Sequence, residues 1–399
     1  MVRTRRIAAV AAFLGAMTVV PSSPAAEYVP GQVIVKFQED VSTTREAAVL
    51  ARVGAIDTLG RVKGIGSKVV QVTGNAKEAA AALEESSAVE YAEVDKILTA
   101  ASVPNDPLFG DQYALPLTHA PEGWDLAGLG AFPATGGTKV AVIDTGIDRS
   151  HPEFSGRVSN CVQSTSFLTL SSGIKAGCDD IDGHGTKVAG ILGAKANNGA
   201  GITGVAFNSP LAICRALEDG LGRGSTSNVA NCISYVRSKG AKVISMSFGG
   251  GSSNTLYDAV KSAWNNGYGA VLLAAAGNDG GNGEIYPAGY SQVIAVASTD
   301  AADGWGGSNH YVDVELAAPG VDILSTTLGG GYATGTGTSA ATPYAAGVAA
   351  LMRQKYPGAT AVQIRDGLAY ATDDLGEPGR DPYYGFGRVN LCKAMGGAC

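Results

Sequence analysis

Two kinds of hydrophobic pattern divide this chain. Between residue 27 and about residue 100 the apolar positions come in short alternating runs. Gln32-Val33-Ile34-Val35-Lys36-Phe37 alternates as a half-buried strand does, Lys68-Val69-Val70-Gln71-Val72 reads as a second strand, and Val89 to Asp95 as a third. Thr43 to Arg52 and Ala76 to Glu85 carry helical patterns. This stretch predicts one small α/β unit, with no Cys, no His and no nucleophile constellation in it. A linker-like stretch, Ala100 to Pro107, follows.

From about residue 102 the pattern becomes strand-then-helix. Lys139 to Ile143, Lys242 to Met246, Ala270 to Ala275 and Val293 to Ala297 are continuous apolar runs, as expected for strands buried on both faces of a parallel sheet. Helical patterns intervene at Thr186 to Lys195, Ser227 to Ser238, Asn254 to Asn265 and Ser339 to Lys355. The reading is an α/β fold, a doubly wound and mostly parallel sheet with helices on both faces, preceded by the small α/β domain. Active groups in such a fold sit at the carboxyl ends of the strands.

Composition agrees with folded domains. Hydrophobic residues make up 45% of the 399 and charged residues 16%, which leaves ample apolar material for a core. The net charge of −7, with no basic block beyond the first residues, argues against a nucleic-acid or anionic-membrane partner. Those first residues read as a targeting segment. Arg3, Arg5 and Arg6 form a positive start, Ile7 to Val20 an apolar run too short to span a membrane comfortably, and Pro21 to Ala26 a small-residue tail. Residues 1–26 are therefore expected to be a cleaved secretory signal, which leaves no membrane segment in the exported protein.

Export changes what the cysteines mean. All six (Cys161, Cys178, Cys214, Cys232, Cys392, Cys399) lie beyond residue 160, and an even number in an oxidising compartment implies disulfides. Six cysteines allow fifteen connectivities, and proximity alone favours pairing neighbours. None has zinc-site spacing.

Three short segments carry candidate chemistry. Val140 to Asp148 places Asp144 at the end of a buried strand, just before a Gly turn. Asp182-Gly183-His184-Gly185 opens a helix with a Gly-flanked His, and Gly335-Thr336-Gly337-Thr338-Ser339 opens another with a Ser. A neutral Ser hydroxyl needs a base. His184 can take its proton and return it to a leaving amine, while Asp144 holds the imidazole tautomer. Ser339 at a helix N-terminus brings N–H groups and a positive dipole end to a developing oxyanion. Asn278, at another strand end, has an amide that can donate to the same oxyanion. Singly, each residue has an ordinary explanation as a turn residue, a structural His or an N-cap. The run from Gly335 to Ala340 also matches a dinucleotide fingerprint, but no apolar strand precedes it. Ser339 is outside a G-x-S-x-G elbow, which counts against an α/β-hydrolase.

Together, the order Asp, His, Ser and the wording of the motifs resemble the subtilisin family of serine proteases, and the resemblance runs over essentially the whole chain after the signal. Tyr384 to Asn390 resembles the family's closing motif. It implies an inhibitor-type propeptide at 27–101, a peptidase domain at 102–399, and a secreted, monomeric endopeptidase that removes its own propeptide and then cleaves polypeptides. It implies Asp144, His184 and Ser339 as the triad and Asn278 as oxyanion donor. It places a substrate groove between Ser247, Phe248 and Gly249 on one edge and Gly222, Arg223 and Gly224 on the other, with extended peptide held as an added strand. Ala275, Gly277, Asp279 and Ile285 join that groove. Phe248 is expected at the P4 pocket, Ile285 at the base of a P1 pocket suited to small or medium apolar side chains, and Asp279 at its rim. The junction is expected after Ala100 or Ala101, which sets Ile97 or Leu98 at P4. Two departures stand out. Lys187 replaces a second His common in relatives, and a longer segment bearing Cys161 and Cys178 separates Asp144 from His184.

The resemblance also implies structural calcium. Its ligands would be Asp106, Glu153 and Asn198 through side chains, with Lys195, Ala200 and Ile202 through carbonyls. A weaker site would use Glu315 with the carbonyls of Ser291 and Val293. Competing readings are a serine esterase with the same nucleophile, separable by casein against a short-chain ester, and a non-enzymatic binding scaffold, separable by organophosphonate labelling of Ser339.

Overall fold

A computed structural model describes residues 28–97, 102–164, 173–217 and 222–399. The chain divides into two compact units that part between residues 100 and 101. The expected signal segment, Leu98 and both junction candidates lie outside the described residues.

The first unit runs β1 (Tyr28–Phe37), α1 (Thr43–Arg52), β2 (Ala55–Arg61), β3 (Lys68–Val72), α2 (Ala76–Glu84) and β4 (Val89–Lys96). Its antiparallel sheet has the order β2-β3-β1-β4, a split β-α-β-β-α-β arrangement. Alternation in β1 and β3 sends Val33, Val35, Val70 and Val72 into one core with Val49, Leu50 and Leu83 of the helices. Both helices start where a side chain caps them: Ser42 accepts from the Arg45 N–H and Asn75 from the Lys77 N–H. β2 was not expected. It is an edge strand, mostly exposed and interrupted by Gly60, so it carries no hydrophobic alternation.

The second unit opens with α3 (Ala114–Leu117) and α4 (Ala120–Leu126), followed by β5 (Val140–Asp144), β6 (Val158–Ser164), β7 (Ile174–Ala176), α5 (His184–Gly193), β8 (Leu211–Arg215) and α6 (Thr226–Ser238). It continues through β9 (Val243–Met246), α7 (Asn254–Trp264), β10 (Val271–Ala275), β11 (Ile294–Thr299), β12 (Val314–Pro319) and a hairpin of β13 (Ile323–Thr326) and β14 (Tyr332–Gly335). It ends with α8 (Thr338–Lys355), α9 (Ala361–Tyr370), β15 (Thr372–Asp373), β16 (Arg388–Val389) and α10 (Leu391–Ala394). The ten-stranded sheet has the order β15-β16-β12-β11-β10-β9-β5-β8-β6-β7, with antiparallel pairing only at its two edges, β15 with β16 and β6 with β7.

Burial on both faces explains the continuous apolar runs. Val140, Val142, Leu273 and Val296 face a core shared with α5 and α8, whereas Ala141, Ile143, Leu272 and Ala295 face α6 and α7. Truncating one such residue, for example Ile143→Ala, belongs to the class that costs about 2–5 kcal/mol. Helix α8 is buried from Ala340 to Arg353, and its Ala and Gly residues let it lie close to the sheet. The three disulfides join Cys161 to Cys178, Cys214 to Cys232 and Cys392 to Cys399, the pairing that proximity favoured.

The stretch from Ser102 to Pro107 is less linker-like than its sequence. Ser102 bonds Asp125 through both its N–H (3.0 Å) and its hydroxyl (2.6 Å), and Asn105 and Asp106 are tied to residues 197–199. Strand β5 lies between β8 and β9; the chain passes from β5 to β6 on one side of it and from β8 to β9 on the other, so the strand order reverses there. Asp144 ends that strand at the position where such folds gather their ligands.

Candidate active site

Asp144 is fully buried, and its Oδ1 accepts from His184 Nδ1 at 2.7 Å and from the Thr145 N–H at 2.7 Å. His184 is the first residue of α5, reached through Gly183 at φ 102°, a left-handed conformation that favours Gly. Gly185 lies against the Gly146 backbone so closely that a Cβ would collide with the Gly146 carbonyl. These two glycines let the start of α5 reach the end of β5. The charge of Asp144, against opposing desolvation, pushes the His184 pKa up to about 9. A base held by its Nδ1 in this way presents Nε2 for proton transfer.

The turn that carries His184 is fastened by Asp180, which the sequence reading did not single out. Its carboxylate accepts from the N–H groups of Gly183 (2.9 Å) and Thr186 (2.9 Å) and from the hydroxyls of Thr186 (2.6 Å) and Thr145 (2.9 Å). Burial acts to raise its pKa, but these bonds outweigh it and the net shift is downward. The sequence signal was an acid four residues before a Gly-flanked His.

Ser339 is half-buried in the first turn of α8, whose N-cap is Gly337, so the serine is not itself the cap. His184 and Ser339 line the same hollow. Asn278 follows β10, and its Oδ1 accepts from the Thr338 N–H (2.8 Å) and hydroxyl (2.9 Å). That leaves Nδ2 as the donating end of the amide, beside the residue that precedes Ser339. Asn309, also unforeseen, is buried. It accepts from the Asp279 N–H at 2.8 Å and donates to the Gly283 carbonyl at 2.9 Å, which holds the loop beyond Asn278.

The expected groove residues are partly gathered. Ser247, Phe248 and Gly249 continue from β9 without regular strand structure, and Gly250 bridges to Tyr286. Ile285 packs on the Gly249 backbone, so the expected P1 floor meets the expected edge segment. Ala275 ends β10, Gly277 is buried beneath Asn309, and Asp279 is exposed. Gly222, Arg223 and Gly224 form an irregular segment before α6, and Gly224 lies against the Ala216 carbonyl.

The expected calcium ligands come together. Asp106 and Glu153 are both buried. The Asn198 N–H donates to Asp106, and the Asn198 amide donates to Glu153 at 2.9 Å. Burial, with the charge of Asp106, raises the Glu153 pKa despite bonds from Ile202, Tyr332 and Asn198. Among the described residues the carbonyls of Lys195, Ala200 and Ile202 accept no backbone hydrogen bond. Two buried carboxylates beside unengaged carbonyls are a donor set that fits a hard dication. The weaker site is corrected. Arg365 of α9 bonds both carboxylate oxygens of Glu315, one at 2.6 Å, and the Ser291 carbonyl at 2.6 Å. A guanidinium already serves the oxygens expected to hold a second calcium.

Comparison with known proteins agrees with this architecture. Residues 135–387 match the subtilase family, and residues 15–95 match the fervidolysin N-terminal prodomain. A thermophilic serine proteinase from Bacillus sp. (strain AK1) is 38% identical over 92% of this chain and 88% of its own length. Thermitase from Thermoactinomyces vulgaris is 41% identical over 73% of this chain and 99% of its own. Among solved structures, proteases from Pseudoalteromonas arctica PAMC 21717 superpose with a TM-score of 0.65 at 31% identity, covering 74% of this chain and 99% of theirs. The chain belongs to the subtilase family. It is a subtilisin-like serine protease with an N-terminal prodomain.

Proposed function

We propose that this protein is a secreted endopeptidase that cleaves its own pro-segment and then other polypeptides, with Asp144, His184 and Ser339 as its triad. The observation that carries the reading is the 2.7 Å bond from His184 Nδ1 to buried Asp144, with Ser339 on the hollow that His184 lines. Ser339 Oγ attacks the scissile carbonyl carbon while His184 Nε2 takes its proton. The Asn278 amide and the N–H groups at the start of α8 receive the oxyanion. The C–N bond then breaks as His184 gives that proton to the leaving amine. Water, deprotonated by the same imidazole, releases the acyl group and restores the Ser339 hydroxyl.

Export is supported by the signal pattern of residues 1–26 and by the extracellular protease from Natrialba magadii, 34% identical over 97% of this chain. Among the described residues no helix is long and apolar enough to cross a membrane. The residues around the expected P1 pocket favour a small or medium apolar side chain, since branched Ile285 narrows its base. The proposal is tested by N-terminal sequencing of the secreted protein and of its Ser339→Ala form. The mature chain should begin at Ala101 or Ser102, and the variant should keep its pro-segment. A start well away from residues 101–104, or processing of the variant to the same start, would overturn self-cleavage.

Calcium would be held by Asp106, Glu153 and Asn198 with the carbonyls of Lys195, Ala200 and Ile202. Bound there, it would neutralise the buried carboxylates and fix the segment that begins the mature chain. Ligand linkage gives about 2.7 kcal/mol at calcium one hundred times Kd. For residues 101–399 that corresponds to roughly 4 °C in Tm. Excess chelator should lower Tm by this order and speed autolysis, and Asp106→Ala should abolish the difference. An unchanged Tm together with a calcium-free metal analysis would remove the claim.

A further inference from the structure

Lys187 lies one turn after His184 on α5, and the chemistry described above leaves it unused. It sits on a hollow of about 90 Å³ also lined by His184, Val188, Ile191, Gly335, Thr336, Ser339 and Ala340. That volume is several times the roughly 10–15 Å³ that one water requires. Val188, Ile191 and Ala340 are buried and make an apolar base. The half-buried lysine lies along the Gly335 backbone, where a Cβ would stand 2.7 Å from its Cδ, and its ammonium donates to the Thr334 carbonyl at 3.3 Å. Among the described residues no acidic side chain pairs with it. Three of the described acids touch its lining residues: Asp322 is exposed and bonds Thr336, Asp182 is exposed and accepts from the His184 N–H, and buried Asp144 is paired with the His184 ring.

The position of the hollow assigns it to one side of the scissile bond. Asn278 is fastened to Thr338, and Gly249 with Ile285 belongs to the acyl side of the groove; none of these lines the hollow. The hollow lies beside the imidazole that protonates the leaving amine, so the residue carrying that amine projects its side chain there.

We propose that Lys187 is a specificity-determining residue that makes the leaving-group (P1′) subsite select an acidic side chain, glutamate above all. The inference rests on the triad reading. Methylene groups of glutamate cover Val188 and Ile191 while the carboxylate meets the ammonium. Glutamine has the same shape without the charge, so the ratio of the two isolates the electrostatic part.

The test uses the mature enzyme and quenched peptides that differ only at P1′, carrying Glu, Gln, Leu or Lys. At low salt the Glu:Gln ratio of kcat/KM should be about three- to fivefold, the upper range for a half-exposed ion pair. It should fall toward one in about 1 M salt, where the screening length is ~3 Å. Lys187→Gln should bring the ratio to about one, Lys187→Arg should keep it, and Lys187→Glu should turn the preference toward P1′ Lys. A wild-type ratio at or below one at low salt overturns the proposal and needs no variant. So does a Lys187→Glu enzyme that keeps the ratio, or a Lys187→Gln enzyme that slows on all peptides equally. If the wild type cleaves none of the peptides and Ser339 resists an organophosphonate, the triad reading falls with it; cleavage without the preference removes only the subsite.

Discussion

Replacing Ser339 by alanine should lower kcat by about 10⁶-fold, the scale for losing the nucleophile of a Ser-His-Asp triad. The structure explains why so large a loss should leave folding intact. Ser339 is not the cap of α8, so no helix-end hydrogen bond goes with its hydroxyl. Alanine is the best helix former, and the Thr338 hydroxyl that orients Asn278 is untouched. Casein or peptide hydrolysis measures the loss in variant and wild-type chains of residues 102–399 folded with the pro-segment supplied separately, and melting curves of the two check the fold. More than about 1% residual turnover in a correctly folded variant would remove Ser339 from the mechanism.

Asp144→Asn should cost about 10⁴-fold in kcat, the scale for leaving the histidine in the wrong tautomer, and should also move the pH profile. Asp144 Oδ1 serves two donors, the Thr145 N–H and His184 Nδ1, while Oδ2 is buried without a hydrogen bond. An asparagine that keeps its oxygen on both donors holds the tautomer but must bury its NH₂ unpartnered and loses the charge that stabilises the imidazolium; one that turns the other way presents a donor to Nδ1 and imposes the wrong tautomer. The pH effect follows from charge. The wild-type imidazole, raised to about 9 by Asp144, is neutral and active only toward alkaline pH, so kcat/KM climbs with pH through that value. Without the carboxylate charge the pKa drops toward the ordinary ~6.5, and the rising limb moves to acid. Stability runs the opposite way. A histidine raised in the folded state contributes stability in full below ~6.5, the unfolded value, and loses it as pH rises through the folded pKa. Asp144→Asn should therefore cost more Tm at pH 6 than at pH 10. An unmoved limb would mean that His184 is not the titrating base.

The sequence was legible where one residue type has one physical use. Runs such as Val271 to Ala275, short and bounded by Gly269 and Gly277, read as strands covered on both faces, and glycines around His184 mark a backbone approach that tolerates no Cβ. It was silent where a residue's meaning depends on a distant partner. β12 carries Glu315 within a buried strand, which breaks the apolar run; Arg365, fifty residues on, makes it tolerable. β8 is short, and its end is charged because Arg215 reaches the Asp179 carbonyl and Gln163. At the site, the order of the proposed triad was visible because each member sits in its own Gly-marked motif. Asp180, Asn309 and Thr338 were not, because they act on backbone N–H groups and a neighbour's amide, contacts that exist only after folding.

The three disulfides span 17, 18 and 7 residues, and all six cysteines lie in the second unit. Each is a local staple, so oxidation closes small loops independently and reduction of one leaves the other two in place. The first unit has no cysteine to exchange, so no cross-link can tether it to the second. One cut between the units therefore separates two independent molecules. From that moment no covalent bond joins the two pieces, and reductant has no part in parting them.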